Sequence, residues 1–181
     1  MGCDDDAVPL EPGCDLVTTM VDEEQVWATL ATVADPEIPA VSVVDMGMIK
    51  EVEVDGTTAR VVVLPTFTGC PALPIIKSDV AKAVSQIPGI DAVNVEVTFV
   101  PPWTSDRITT AGRQKLEGFG LAPPTGDGPV LIAQIGLPMV AICPFCGSKN
   151  THNENPFGPT PCRSLYYCDE CRNPFEQFKP I

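Results

Sequence analysis

The sequence predicts an α+β protein: a small helix-covered mixed sheet domain followed by a metal-stabilised, β-rich, zinc-ribbon-like module. Two observations carry this. Between residues 21 and 100 the hydrophobic periodicity runs helix, strand, strand, helix, strand, which describes a sheet covered on one face. Beyond residue 129 lie five of the eight cysteines, and four of them form two Cys-x-x-Cys pairs separated by twenty-one residues. Two such turns bring four soft sulfurs to one tetrahedral metal site.

The elements follow in order. Residues 1–20 mix Asp, Pro, Gly and Thr and are expected to be loosely packed. Asp22–Val33 reads as a helix: acidic residues crowd its positive end, and Val26, Leu30 and Val33 share a stripe. Asp35-Pro36 and Ile38-Pro39 stop it. Met48–Val54 and Thr58–Leu64 read as strands joined at Asp55-Gly56, a strong hairpin signal. The loop Pro65–Cys70 leads into a helix from Pro71 to Gln86. Pro74 fits there because first-turn amides lack helical partners anyway. Pro88-Gly89 ends that helix, and Ala92–Phe99 is a third strand with Val93, Val95, Val97 and Phe99 alternating. Residues 101–128 read as a Pro/Gly-punctuated connector with one short helix, Thr109–Glu117. From Val130 onward, short β runs between cysteine turns describe a ribbon with too little core to fold without its metal.

Composition narrows the function. Eleven acidic residues and no Lys or Arg precede Lys50, so nearly all of the net −13 belongs to the first quarter of the chain. Such a field repels phosphate backbones and argues against a nucleic-acid partner. The acidic start does not resemble a secretory signal, and Asp6 stands where a myristoylation motif wants Ser or Thr. No stretch approaches the roughly 20 apolar residues that span a bilayer. A cytoplasmic protein is expected, and in a reducing compartment cysteines serve as metal ligands or reactive thiols rather than disulfides.

The chemistry-bearing residues fall into two groups. Cys143, Cys146, Cys168 and Cys171 are the metal ligands, with zinc in a closed structural site as the first expectation. Iron in rubredoxin-like geometry, or an iron–sulfur cluster, takes the same ligands. Cys162 is surplus: either a free thiol packed under the ribbon, or an auxiliary ligand or transfer thiol beside the metal. In the front domain, Cys70 stands at a helix N-terminus, where the helix dipole and free amides should lower its pKa. Asp35, Glu37 and Asp45 are the carboxylates that the sheet could bring near it, although Asp35 serves equally well as a turn residue beside Pro36. The one histidine, His152, lies in a polar stretch of the ribbon, far from Cys70 in sequence. Neither a nucleophile elbow nor a phosphate or dinucleotide loop is present, so catalysis by this chain is not expected.

At these residues the chain resembles a known family. Asp35-Pro36-Glu37-Ile38-Pro39, Val43-Val44-Asp45-Met46-Gly47 and Thr68-Gly69-Cys70-Pro71 resemble the SufT-type domain of iron–sulfur assembly factors. Pro101–Arg107 and Gly120–Pro124 fit it too. Joined to the cysteine module, with Phe157-Gly158 before Cys162 and Pro174-Phe175-Glu176 after the second pair, they resemble the PaaD (PaaJ) family of phenylacetyl-CoA epoxidase accessory proteins over residues 22–181.

The resemblance implies a maturation factor for iron or iron–sulfur centres of a multicomponent oxygenase in aerobic phenylacetate degradation, with its reductase or oxygenase components as partners. It implies Cys70 as the reactive cysteine, Asp35, Glu37 and Asp45 as the acidic positions, and Cys162 as an extra family cysteine. Two rivals are a structural adaptor with an inert Cys70 and an electron-transfer protein with iron in the ribbon. A homodimer is compatible with either.

Overall fold

The computed structural model describes residues 21–125 and 140–180. The expectations for residues 1–20, and for β runs at 130–139, lie outside the described residues.

Helix α1 (Glu23–Leu30) begins at a capping box: the Asp22 side chain accepts from the Gln25 amide at 2.9 Å, and the Gln25 side chain accepts from the Asp22 amide. The helix is shorter than expected because a turn takes over at Ala31. Strands β1 (Ile49–Asp55) and β2 (Thr58–Val63) form the expected hairpin, with Gly56 at φ +60° supplying the left-handed turn residue. Helix α2 (Leu73–Ser85) has Pro74 in its first turn, as anticipated, and buries Ile76, Val80 and Val84. It returns the chain to β3 (Ala92–Val97), which pairs parallel with β2, giving the order β1-β2-β3. This strand ends two residues earlier than the alternation predicted, and Phe99 is exposed.

The segment after β3 is no slack connector. Trp103, Ile108, Leu116 and Leu121 are buried in the front-domain core. Helix α3 (Thr110–Gly118) is capped by Thr109, whose hydroxyl accepts from the Gly112 amide at 2.9 Å. Strand β4 (Leu121–Ala122) then joins a second sheet, formed otherwise by the ribbon strands β5 (Thr151–Asn155), β6 (Arg163–Cys168) and β7 (Pro174–Phe178) in the order β4-β7-β6-β5. β4 pairs parallel with β7, so the end of the connector is stitched to the end of the ribbon.

The ribbon's own core is small: Ala122, Ala141, Cys143, Tyr166, Cys168 and Phe175, with Tyr166 stacked on Phe175 at 5.7 Å. By contrast, Phe178 and Cys162 of the ribbon belong to the front-domain core, and Trp103 meets Phe178 edge-on at 5.7 Å. Among the described residues, no helix is long and apolar enough to cross a membrane.

Candidate metal centre and thiol site

The first pair of cysteines lies on a tight turn. The Gly147 amide donates to the Cys143 carbonyl at 2.9 Å, and Gly147 takes φ +73°. The second pair spans the end of β6, where the Arg172 amide donates to the Cys168 carbonyl at 2.8 Å and Arg172 itself takes φ +58°. These two turns face each other, and all four sulfurs lie within 4.8 Å of one another. Cys143 Sγ is 3.7 Å from Cys171 Sγ, and Cys146 Sγ is 3.6 Å from Cys168 Sγ. A tetrahedron with metal–sulfur bonds of about 2.3 Å has edges of about 3.8 Å, so the four sulfurs fit a single ion.

Two of the four crowded thiols shift in opposite directions. The Asn173 side-chain amide, 3.5 Å from Cys171 Sγ, holds the Cys171 thiol down to about 7. The Ser148 amide pulls Cys146 down too, but desolvation and the other three sulfurs outweigh it and push Cys146 up to about 12. Four thiolates this close repel one another unless a cation sits among them. His152 takes no part. It is exposed on β5 and held between Asp169 at 3.0 Å and Glu154 at 2.8 Å.

Cys162 lies outside the four-sulfur set. Its Sγ is 3.2 Å from Thr160 Oγ1, and it is 8% exposed within the front-domain core, against which half-buried Cys70 also packs. The auxiliary-ligand reading of Cys162 at the ribbon metal therefore gives way to a position facing the front domain.

The expectation of a low Cys70 pKa is overturned. Burial pushes the Cys70 thiol up; the Ala72 amide at the start of α2 works against this, but Glu37, Asp35 and Cys162 add to it. The helix end acts in the expected direction and is outweighed by desolvation and negative neighbours.

Asp35 holds the turn beside Pro36 and also acts on Cys70. Its Oδ1 accepts from the Glu37 and Ile38 amides at 2.8 and 3.0 Å, closing the turn, while its charge acts on Cys70. Asp45 is committed elsewhere. Its Oδ2 accepts from the Ser42 amide and hydroxyl, both at 2.9 Å, and pairs with Lys115 Nζ at 2.6 Å, tying α3 to the front loop. Arg163 escaped the sequence reading. Its Nη1 donates to Glu176 at 2.9 Å and its Nη2 to the Glu37 carbonyl at 2.7 Å, so it bolts the ribbon to the acidic loop beside Cys70. No motif marks such a residue, since its two partners lie 13 and 126 positions away.

The fold and sites define a class: an iron–sulfur-assembly type of domain carrying a four-cysteine ribbon. Residues 23–97 match the family described as iron-sulfur cluster assembly protein, and residues 130–179 match the PaaD zinc beta ribbon domain. The chain belongs to the PaaD family. It is 36% identical over 157 residues, covering 87% of this chain and 92% of the relative, to a protein of Escherichia coli (strain K12) that is provisionally named as a component of 1,2-phenylacetyl-CoA epoxidase. It is 35% identical to the Fe-S protein maturation auxiliary factor YitW of Bacillus subtilis (strain 168), covering 48% of this chain and 85% of that one. Among solved structures, a domain of unknown function (DUF59) from Bacillus anthracis matches with TM-score 0.50 and 32% identity over 52% of this chain and 90% of that chain.

Proposed function

We propose that this protein is a non-catalytic maturation factor that handles iron or iron–sulfur units for a phenylacetyl-CoA epoxidase system, with its reductase or oxygenase components as clients. The observation that carries the reading is the half-buried Cys70, set beside Asp35 and Glu37 on a domain shared with relatives named Fe-S protein maturation auxiliary factors. Carboxylates beside a thiol raise its pKa, which suppresses its reactivity as a free nucleophile. The same carboxylates attract a cation, and metal binding then displaces the thiol proton. Iron is the cargo in this reading. The ribbon is a separate, closed site whose four cysteines would hold a structural zinc and supply rigidity rather than exchange.

In a strain carrying Cys70→Ser, the fold persists and the epoxidase reductase is recovered with reduced iron content, measured by elemental analysis and visible spectrum. Full cluster occupancy in that strain overturns the reading. The raised thiol pKa supports a second one, in which Cys70 is inert and the chain is a structural adaptor; full occupancy would favour it.

A further inference from the structure

The ribbon does more than stiffen the chain. Its surplus thiol, Cys162, is turned away from its own four-sulfur site and into the front domain. Three contacts hold it there. The Lys179 amide donates to the Cys162 carbonyl at 2.8 Å, and the Gly158 amide donates to the Arg163 carbonyl at 2.9 Å. Arg163 Nη2 reaches the Glu37 carbonyl at 2.7 Å, which brings the residue next to Cys162 onto the acidic loop. A side chain at 158 would also meet the Arg163 backbone at 3.0 Å, so Gly158 lets the Phe157–Pro161 loop lie close beneath Cys162.

Two thiols from different modules thus pack on one core. Glu37 acts electrostatically on both, Asp35 on Cys70, and each of the two cysteines is a free thiol.

We propose that Cys70 and Cys162 are the paired thiols of one exchangeable Fe2+ site formed where the two modules meet, with the Glu37 carboxylate as a third donor. This rests on the reading of Cys70 as an iron-handling thiol. Fe2+ is a borderline-soft ion that takes thiolate and carboxylate together. Binding releases two thiol protons to solvent, and two thiolates with one carboxylate leave one negative charge in excess of the dication; Arg163, although paired with Glu176, still favours the Cys162 thiolate. The donors are not drawn into a closed sphere: among the described residues, the ribbon cysteines are the only three or more such groups within 4.8 Å of one another. An open arrangement that closes by rotation of Cys70 and the partly buried Glu37 suits an ion that has to leave again. A preformed tetrahedron like the ribbon's does not.

The test uses the full chain with the ribbon metal in place, handled without oxygen. Ferrous ion is added, excess is removed by gel filtration, and retained iron is counted. The expected result is one iron per chain with two sulfur scatterers by X-ray absorption, lost in Cys70→Ala and in Cys162→Ala while the ribbon metal stays. The proposal is overturned if the wild-type iron shows fewer than two sulfurs, if no iron is retained, or if Cys162→Ala with an intact ribbon binds as the wild type does. The sulfur count on the wild type decides the matter even where a variant folds poorly. If Cys70→Ser lowers client iron while Cys162→Ala alters neither binding nor maturation, the pairing fails and the maturation function stands. If Cys70→Ser clients are fully loaded, it is the function that fails.

Discussion

At the residue scale the front domain depends on a buried charge that the sequence reading placed at the functional site. Burial pushes the Asp45 carboxyl up, but the Lys115 ammonium and the Ser42 hydrogen bonds outweigh it and hold the carboxyl below its usual range. A carboxylate whose folded pKa is depressed stabilises the fold above its unfolded pKa, near 3.8, and loses that contribution as pH falls through the lower folded value. Asp45→Asn should therefore cost about 2 kcal/mol at neutral pH, the range for hydrogen bonds to a charged group. In urea titrations the gap from wild type should narrow below about pH 4. The same region shows why some of the site was illegible in sequence. Gly112 inside α3 looks like a mere helix weakener, yet a Cβ there would lie 2.6 Å from the Asp45 carbonyl oxygen. Asp45 reads in sequence as a carboxylate that the sheet could bring near Cys70, and only the Lys115 contact, 70 positions away, reveals its other commitment.

At the scale of elements, what is local was legible. The Asp55-Gly56 hairpin and both cysteine turns lie where turn chemistry puts them, and of the face Ile75, Ile76, Val80, Ala83 and Val84 expected to be buried on α2, Ile76, Val80 and Val84 are buried whereas Ile75 is 52% exposed. What depends on distant partners was not: β4 has two residues, too few for any period, and exists because β7 pairs with it. Cys162 could not be assigned for the same reason, since its neighbours come from the front domain. The ribbon elements also differ in how they are held. β5 is almost wholly exposed, and the ribbon's own cluster holds only six buried residues, so a bound metal would substitute for a larger core. Structural zinc contributes on the order of 10 kcal/mol to domains of this kind. Cys168→Ser, or chelation under reducing conditions, should abolish the ribbon metal, strip hydrogen-exchange protection from β5 and β6, and weaken that of β2 as well, because Phe178 of the ribbon is part of the front core. Protection of β6 that survives complete metal removal would show that the apolar packing alone suffices.

At the scale of the whole molecule, the two modules behave as one folding unit because the ribbon's last strand completes the front core. Phe178 is 1% exposed, meets Trp103 edge-on, and lies in the cluster that includes Leu30, Met46 and Leu116. Trp103 is itself fixed by its indole N–H, which donates to the Met46 carbonyl at 2.9 Å. The modules therefore cannot separate without opening apolar surface on both, and Arg163 adds a polar anchor at the same seam. The match to YitW covers 48% of this chain, whereas in this chain a ribbon residue, Phe178, is part of the front core. Truncating Phe178 to Ala should cost about 3–5 kcal/mol, the range for a buried aromatic. It should do so although the residue touches none of the metal ligands. In the wild type, denaturation followed by Trp fluorescence, which reports the front domain, and by metal release, which reports the ribbon, should give coincident transitions. Phe178→Ala should move both midpoints down together. A front-domain transition unmoved by the substitution would mean that the ribbon hangs on an independent domain. In that case the thiol pair at the seam would lose its fixed geometry as well.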